Sequence, residues 1–228
     1  MREAADQCRA VGFDLDGTLI DTAPDLGAAA NAMLIEMGGK PLAEPRLRTL
    51  IGGGITPFVT RALADGLDVT APDAAVLARA LSLFTRLYAE HLFERSSVYP
   101  GVTETLGRLA SAGVPMCCVT NKESRFALPL LEAARLQTFF TLAVCADRPA
   151  DRKPSPTLLF LACARLGVEP AELLYVGDSE ADIVASEAAG CRVVAVDYGY
   201  GERSSLERAN PDGIVGDIRE ILERDHDT

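Results

Sequence analysis

The sequence predicts an α/β protein with a parallel sheet covered by helices on both faces and an all-helical segment inserted after the first strand. Three observations carry this. Short continuous apolar runs alternate with helix-length segments, the pattern of strands buried on both faces. Between Thr22 and Ser97 the alternation stops and only helical periodicities remain. Four of the apolar runs end directly in polar clusters, and in open parallel sheets ligands gather at the carboxyl ends of strands.

The first run is "AVGF", Ala10 to Phe13. A helix follows, with Leu26, Ala30, Met33, Leu34 and Met37 on one face, Pro24 at its start and Gly38-Gly39 at its end. A longer helix repeats the pattern with Leu77, Leu81, Phe84, Tyr88 and His91, which places His91 in packing. Beyond "YPGV" the alternation resumes with the strands "VPMCCV", "LAVC", "LLYV" and "RVVAV". Helices are expected at Thr103 to Ala112, Ser124 to Ala134, Ser155 to Leu166 and Ala181 to Ala189. The expected division is a core of residues 1–21 and 98–228, with residues 22–97 forming a lid over the end of the first strand. The tail "ERDHDT", which contains His226, reads as frayed, so a histidine-based mechanism is set aside.

A chain of 228 residues that is 48% hydrophobic can bury the core of one large α/β domain and a smaller one. The net charge of −11 argues against nucleic acid or an acidic membrane as partner. The start "MREAADQCRA" lacks an apolar leader, and no run approaches the ~18 apolar residues of a membrane span. The chain therefore reads as soluble and cytoplasmic. Its six cysteines lack C-x-x-C spacing and lie mostly in apolar runs, as reduced buried thiols do; Cys8 alone looks exposed. Oligomeric state stays open, a homodimer included.

The chemistry concentrates in "VGFDLDGTLID". Asp14 and Asp16 stand one residue apart, where like charges raise each other's pKa unless something positive lies between them. Thr120, Asn121 and Lys122 follow the second core run, Lys153 lies in "ADRKPSP", and Asp178 and Asp182 lie in "GDSEAD". Carboxylates, a hydroxyl and a lysine at one sheet edge suit Mg²⁺ and a phosphate group, because hard oxygen ligands suit Mg²⁺ and it commonly bridges carboxylates to phosphate oxygens. Taken singly, each motif also has a plain reading: a solvated strand end, a helix cap, a surface lysine. The glycine run Gly52, Gly53 and Gly54 is a flexible turn or a substrate loop, and it matches no dinucleotide or P-loop fingerprint.

Together, "DLDGT", "VTNK", the lysine of "RKPSP" and "GDSEAD" resemble the four ordered motifs of the haloacid dehalogenase superfamily, over about Val11 to Val215. "DTAPDL", "IGGG", "YPGV" and "YGYG" are most similar to its phosphoglycolate phosphatases. The resemblance implies a Rossmann-like core with a helical cap, Mg²⁺ as cofactor and a small phosphorylated substrate. It implies Asp14 as nucleophile and metal ligand, and Asp16 as general acid and base with its backbone carbonyl on the metal. Asp178 would complete the metal site and Asp182 would orient it. Thr120, the Asn121 backbone and Lys153 would hold phosphate, with Lys153 also offsetting the charge of Asp14. No role falls to Lys122. The glycine run, with the start of the helix after it, would read the substrate's carboxylate; Arg61 lies too far along that helix to be assigned. Asp16 argues against a dehalogenase, the absence of lysine between Asp25 and Glu36 against a phosphonate hydrolase, and Leu26 against a sugar-phosphate mutase. A pyrophosphatase, a sugar or amino-sugar phosphate phosphatase, or a non-catalytic binding or regulatory module remain as alternatives.

Overall fold

The computed structural model describes residues 8–69 and 71–222; the "ERDHDT" tail with His226 lies outside them. The chain forms two compact units, one of residues up to Ile20 together with those from Val98 onward, the other Asp21–Ser97. It passes between them through two short strands that pair with each other, β2 (Ile20–Asp21) and β3 (Ser97–Val98).

The larger unit is built on a six-stranded sheet. Its strands are β1 (Ala10–Phe13), β4 (Met116–Thr120), β5 (Leu142–Cys145), β6 (Leu173–Gly177), β7 (Arg192–Val196) and β8 (Gly213–Val215). They lie in the order β5-β4-β1-β6-β7-β8, every pairing parallel. The apolar runs read as strands all form strands, and β1, β4 and β6 are buried along their whole length, as parallel strands between two helical layers must be. The connecting helices are α5 (Val102–Ser111), α6 (Ser124–Ala133), α7 (Thr157–Leu166) and α8 (Glu180–Ala189). Because β1 is flanked by β4 on one side and β6 on the other, the direction of winding reverses there. A crevice outside the carboxyl ends results, at the place where such sheets bind ligands. A further helix, α9 (Arg203–Ala209), precedes β8. Neither was expected: a three-residue strand and a seven-residue helix are too short for periodicity to mark.

The smaller unit is helical: α1 (Ala23–Glu36), α2 (Glu44–Thr49), α3 (Ile55–Leu67) and α4 (Ala74–Glu90). Its centre holds Phe84, edge-on to Phe58 at 5.6 Å and stacked on Tyr88 at 5.7 Å between ring centres. Asp25 is buried in α1 without a cationic partner among its hydrogen bonds. It accepts instead from the backbone N–H groups of Arg95 and Ser96 and from the Ser96 hydroxyl at 2.5 Å, the bonding a buried carboxylate requires. His91 is a correction. The helix ends at Glu90, so the imidazole leaves the apolar face; it is 57% exposed and lies 3.0 Å from the Glu94 carboxylate. Cys8 is half-buried rather than exposed, and all six cysteines are free thiols.

Candidate functional site

The loops that leave β1, β4, β5, β6 and β7 bring their polar residues together at one edge of the sheet. Asp14 is the first residue past β1, and its N–H donates to the carbonyl of Val176 on β6 at 2.9 Å. The side chain is thereby aimed from a backbone already fixed by the sheet. Lys153, on the loop after β5, points back under the sheet edge and is buried. Its ammonium lies 2.8 Å from Asp14 Oδ1 and 2.7 Å from Asp182 Oδ1, and it donates to the Tyr175 hydroxyl at 2.6 Å and the Val119 carbonyl at 2.9 Å. Tyr175 in turn donates to Val119 at 2.7 Å.

The Asn121 side chain has a task of its own. Its side chain staples the Lys153 loop, the amide donating to the Lys153 carbonyl at 3.0 Å and the amide oxygen accepting from the Lys153 N–H at 2.7 Å. The lysine is therefore held at both ends, by its backbone and by its ammonium. Thr120 is buried and its hydroxyl accepts from the Lys122 N–H at 3.1 Å, which leaves the hydroxyl proton for an anion.

Asp178 follows β6 and is enclosed by backbone. Oδ1 accepts from the Thr18 hydroxyl at 3.2 Å and Oδ2 from the Tyr200 N–H at 2.7 Å. A Cβ on Gly17, where φ is +89°, would come within 2.2 Å of the Asp178 carboxylate; one on Gly199 would come within 2.4 Å of its Cβ, and one on Gly201 within 2.0 Å of its carbonyl. The glycines of "DGT" and "YGYG" are thus the space that Asp178 occupies. Asp182 uses one oxygen on Lys153 and the other to accept from Ser179, its N–H at 3.0 Å and its hydroxyl at 2.6 Å. That closes a capping box at the start of α8.

One oxygen each of Asp14, Asp178 and Asp182 lies within 4.8 Å of the others. Burial above all, with the neighbouring carboxylates, outweighs the attraction of Lys153 and raises Asp14 to about 7. The same causes hold Asp178 well above the usual carboxylate range. Burial opposes the charge on Lys153, but Asp14 and Asp182 more than offset it, so its pKa is raised. The cluster is therefore short of positive charge. An all-oxygen donor set with surplus negative charge fits a hard divalent cation, and Asp14, Asp178 and Asp182 are the residues that could hold it.

Asp16 stands apart from that cluster. Both its oxygens accept from the ammonium of Lys122, at 2.9 and 3.0 Å. Lys122 is buried, its side chain 3% exposed against 18% for Asp16. Sequence reasoning named Lys122 after its strand without giving it a task; a partner 106 positions away leaves no local trace. The hydroxyls of Tyr175 and Thr18 were missed for the same reason.

Gly52, Gly53 and Gly54 belong to the smaller unit, immediately before α3, all with positive φ. Arg61 on α3 reaches back to this run, donating to the carbonyls of Leu50 at 2.8 Å and Gly52 at 2.6 Å. The run is a shaped loop held by its own helix.

Residues 11–196 match the family model described as haloacid dehalogenase-like hydrolase. The chain is 42% identical to the phosphoglycolate phosphatase of Chromobacterium violaceum over 215 residues, covering 94% of this chain and 95% of that protein. To the phosphoglycolate phosphatase of Nitrosospira multiformis it is 43% identical over 212 residues, 93% of each. The crystal structure of a predicted phosphoglycolate phosphatase from Haemophilus somnus superposes with a TM-score of 0.90 at 31% identity, covering 97% of this chain and 99% of that one.

Proposed function

Because this chain belongs to the haloacid dehalogenase-like hydrolase family and is a phosphoric monoester hydrolase like its relatives, we propose that it is a Mg²⁺-dependent phosphatase that cleaves 2-phosphoglycolate to glycolate and phosphate through a phosphorylated Asp14. The observation that carries the proposal is the Asp14 carboxylate, fixed by the sheet and bonded to a buried lysine at 2.8 Å, in a cluster whose charge calls for a cation. The substrate is taken from the relatives named for it.

An Asp14 oxygen attacks the phosphorus, the bond from phosphorus to the ester oxygen breaks, and glycolate leaves with a proton from Asp16. A water then attacks the phosphorus of the acyl phosphate and gives its proton to Asp16; the bond to Asp14 breaks and phosphate departs. Splitting one displacement into two is what a carboxylate nucleophile contributes, and proton transfer to the leaving oxygen what Asp16 contributes. Lys153 keeps Asp14 oriented and offsets its charge, while the Thr120 hydroxyl and the Asn121 N–H hold phosphate oxygens. When bound, Mg²⁺ would neutralise charge on the transferring phosphoryl group. Its holders would be Asp14, the Asp16 carbonyl and Asp178, oriented by Asp182. Free thiols and a small diffusible substrate fit an enzyme of the cytoplasm.

Acid-quenched trapping with ³²P-labelled substrate tests the intermediate. Wild type should retain label and Asp14→Asn none; label on Asp14→Asn would refute the assignment. Gly52, Gly53 and Gly54 are proposed as the substrate-contacting loop of the helical unit. Gly54→Val should then slow phosphoglycolate far more than an aryl phosphate, and an equal effect on both would return the run to a plain turn.

A further inference from the structure

We propose that Lys122 is a residue of the larger unit that selects for a carboxylate on the departing group, an inference resting on the phosphoglycolate reading above. Three features lead to it. Lys122 is a buried cation that the reaction leaves unassigned, since Lys153 is bonded to Asp14 and Asp182. Its place is fixed from both ends: the Thr120 hydroxyl accepts its N–H, and its ammonium rests on both oxygens of Asp16. Asp16 is the group that meets the leaving oxygen, and in 2-phosphoglycolate the carboxylate carbon is only two bonds beyond that oxygen. A cation in contact with the acid is therefore within reach of the substrate's second anion.

Energetics favour the exchange. Stripping a buried ammonium of its carboxylate is costly, but replacing one carboxylate by another leaves it paired throughout. Of the two partners Asp16 is the more exposed, 18% against 3%, so access to the pair is from the Asp16 side. A substrate carboxylate arriving there would take the ammonium and turn Asp16 toward the leaving oxygen. A substrate without that carboxylate would leave Asp16 where it is. Selection and placement of the acid would then be one event at the Lys122–Asp16 pair, in addition to any contact from the glycine run.

The test compares 2-phosphoglycolate with ethyl phosphate, which has a methyl group in place of the carboxylate, in wild type, Lys122→Met and Lys122→Arg. A hydrogen-bonded charge pair sets the expected scale: the ratio of kcat/KM for the two substrates should fall roughly 10- to 100-fold in Lys122→Met, mainly through KM for phosphoglycolate. Lys122→Arg, which keeps the charge, should restore part of it. Circular dichroism checks that each variant is folded, and Lys122→Gln, still able to donate to Asp16, replaces the methionine variant if that one is not. A wild-type preference that survives in the folded neutral variant, both substrates losing activity equally, would overturn the role of Lys122 while leaving the phosphoglycolate reading intact. A wild type without preference for the carboxylated substrate would overturn both.

Discussion

Lys153 and Lys122 are both buried ammonium groups in contact with carboxylates, and they are held in different ways. Lys153 touches two carboxylates, a phenol and a carbonyl, all on or beside central strands, and its backbone is stapled by Asn121. Lys122 rests on Asp16, which is on a turn beyond β1 and partly open to water. The first arrangement cannot change without dismantling the sheet edge. The second has one carboxylate partner among the bonds described, and that partner lies off the sheet and partly open to water. The reaction proposed above, with Asp14 fixed and Asp16 meeting successive oxygens, would use both kinds.

The largest effect should come from breaking the fixed pair. Lys153→Met leaves Asp14 and Asp182 buried without their shared cation, a loss on the order of 3–5 kcal/mol for a broken buried pair, and activity should fall below detection. Urea unfolding beside a phosphatase assay measures both, and near-wild-type stability would show that Lys153 is not the centre of the network. Asp16→Ala should spare the nucleophile and cost ~10²–10⁴-fold in kcat, the usual worth of a positioned acid. Its stability loss should be smaller than that of Lys153→Met, because it removes one partly exposed carboxylate rather than the cation shared by two buried ones. Equal losses in the two variants would erase the distinction.

The smallest effect is on pH dependence. Asp14 is raised from an ordinary 3.8 to about 7, first by burial and then by its carboxylate neighbours. A carboxyl raised on folding contributes stability that is fully present below its unfolded pKa and is lost as pH rises through the folded one. Without divalent cation, Tm should therefore decline between about pH 4 and pH 7. Mg²⁺ favours the ionised cluster, so the Tm gain on adding it should be larger at pH 8 than at pH 5. A gain independent of pH would detach the cation from these acids.

Most of the sheet was legible because strands covered on both faces carry little but apolar residues, and "AVGF", "LLYV" and "RVVAV" leave no other reading. The candidate cluster was legible where polar residues follow a strand, as Asp14 and Asp178 do, or end one, as Thr120 does. What stayed hidden depends on distance in space. Tyr175 reads as one more apolar residue in its run, and nothing local shows that its hydroxyl accepts a hydrogen bond from Lys153. The expectation for Asn121 concerned its backbone alone; that its side chain also holds Lys153 depends on the return of the loop after β5, which no local pattern shows. His91 continued an apolar periodicity that ended one residue before it, because the helix did.

The glycines around Asp178 have a consequence for how the molecule is completed. Gly17 lies just beyond β1, while Gly199 and Gly201 lie beyond β7, and the carboxylate between them directly follows β6. Those strands are neighbours in the sheet yet enter the chain at its beginning and near its end. The surroundings of Asp178 are therefore complete only where the loop after β7 meets the turn after β1. A cation held there would depend on parts of the chain that are distant in sequence, so its binding would report on the assembly of the whole larger unit.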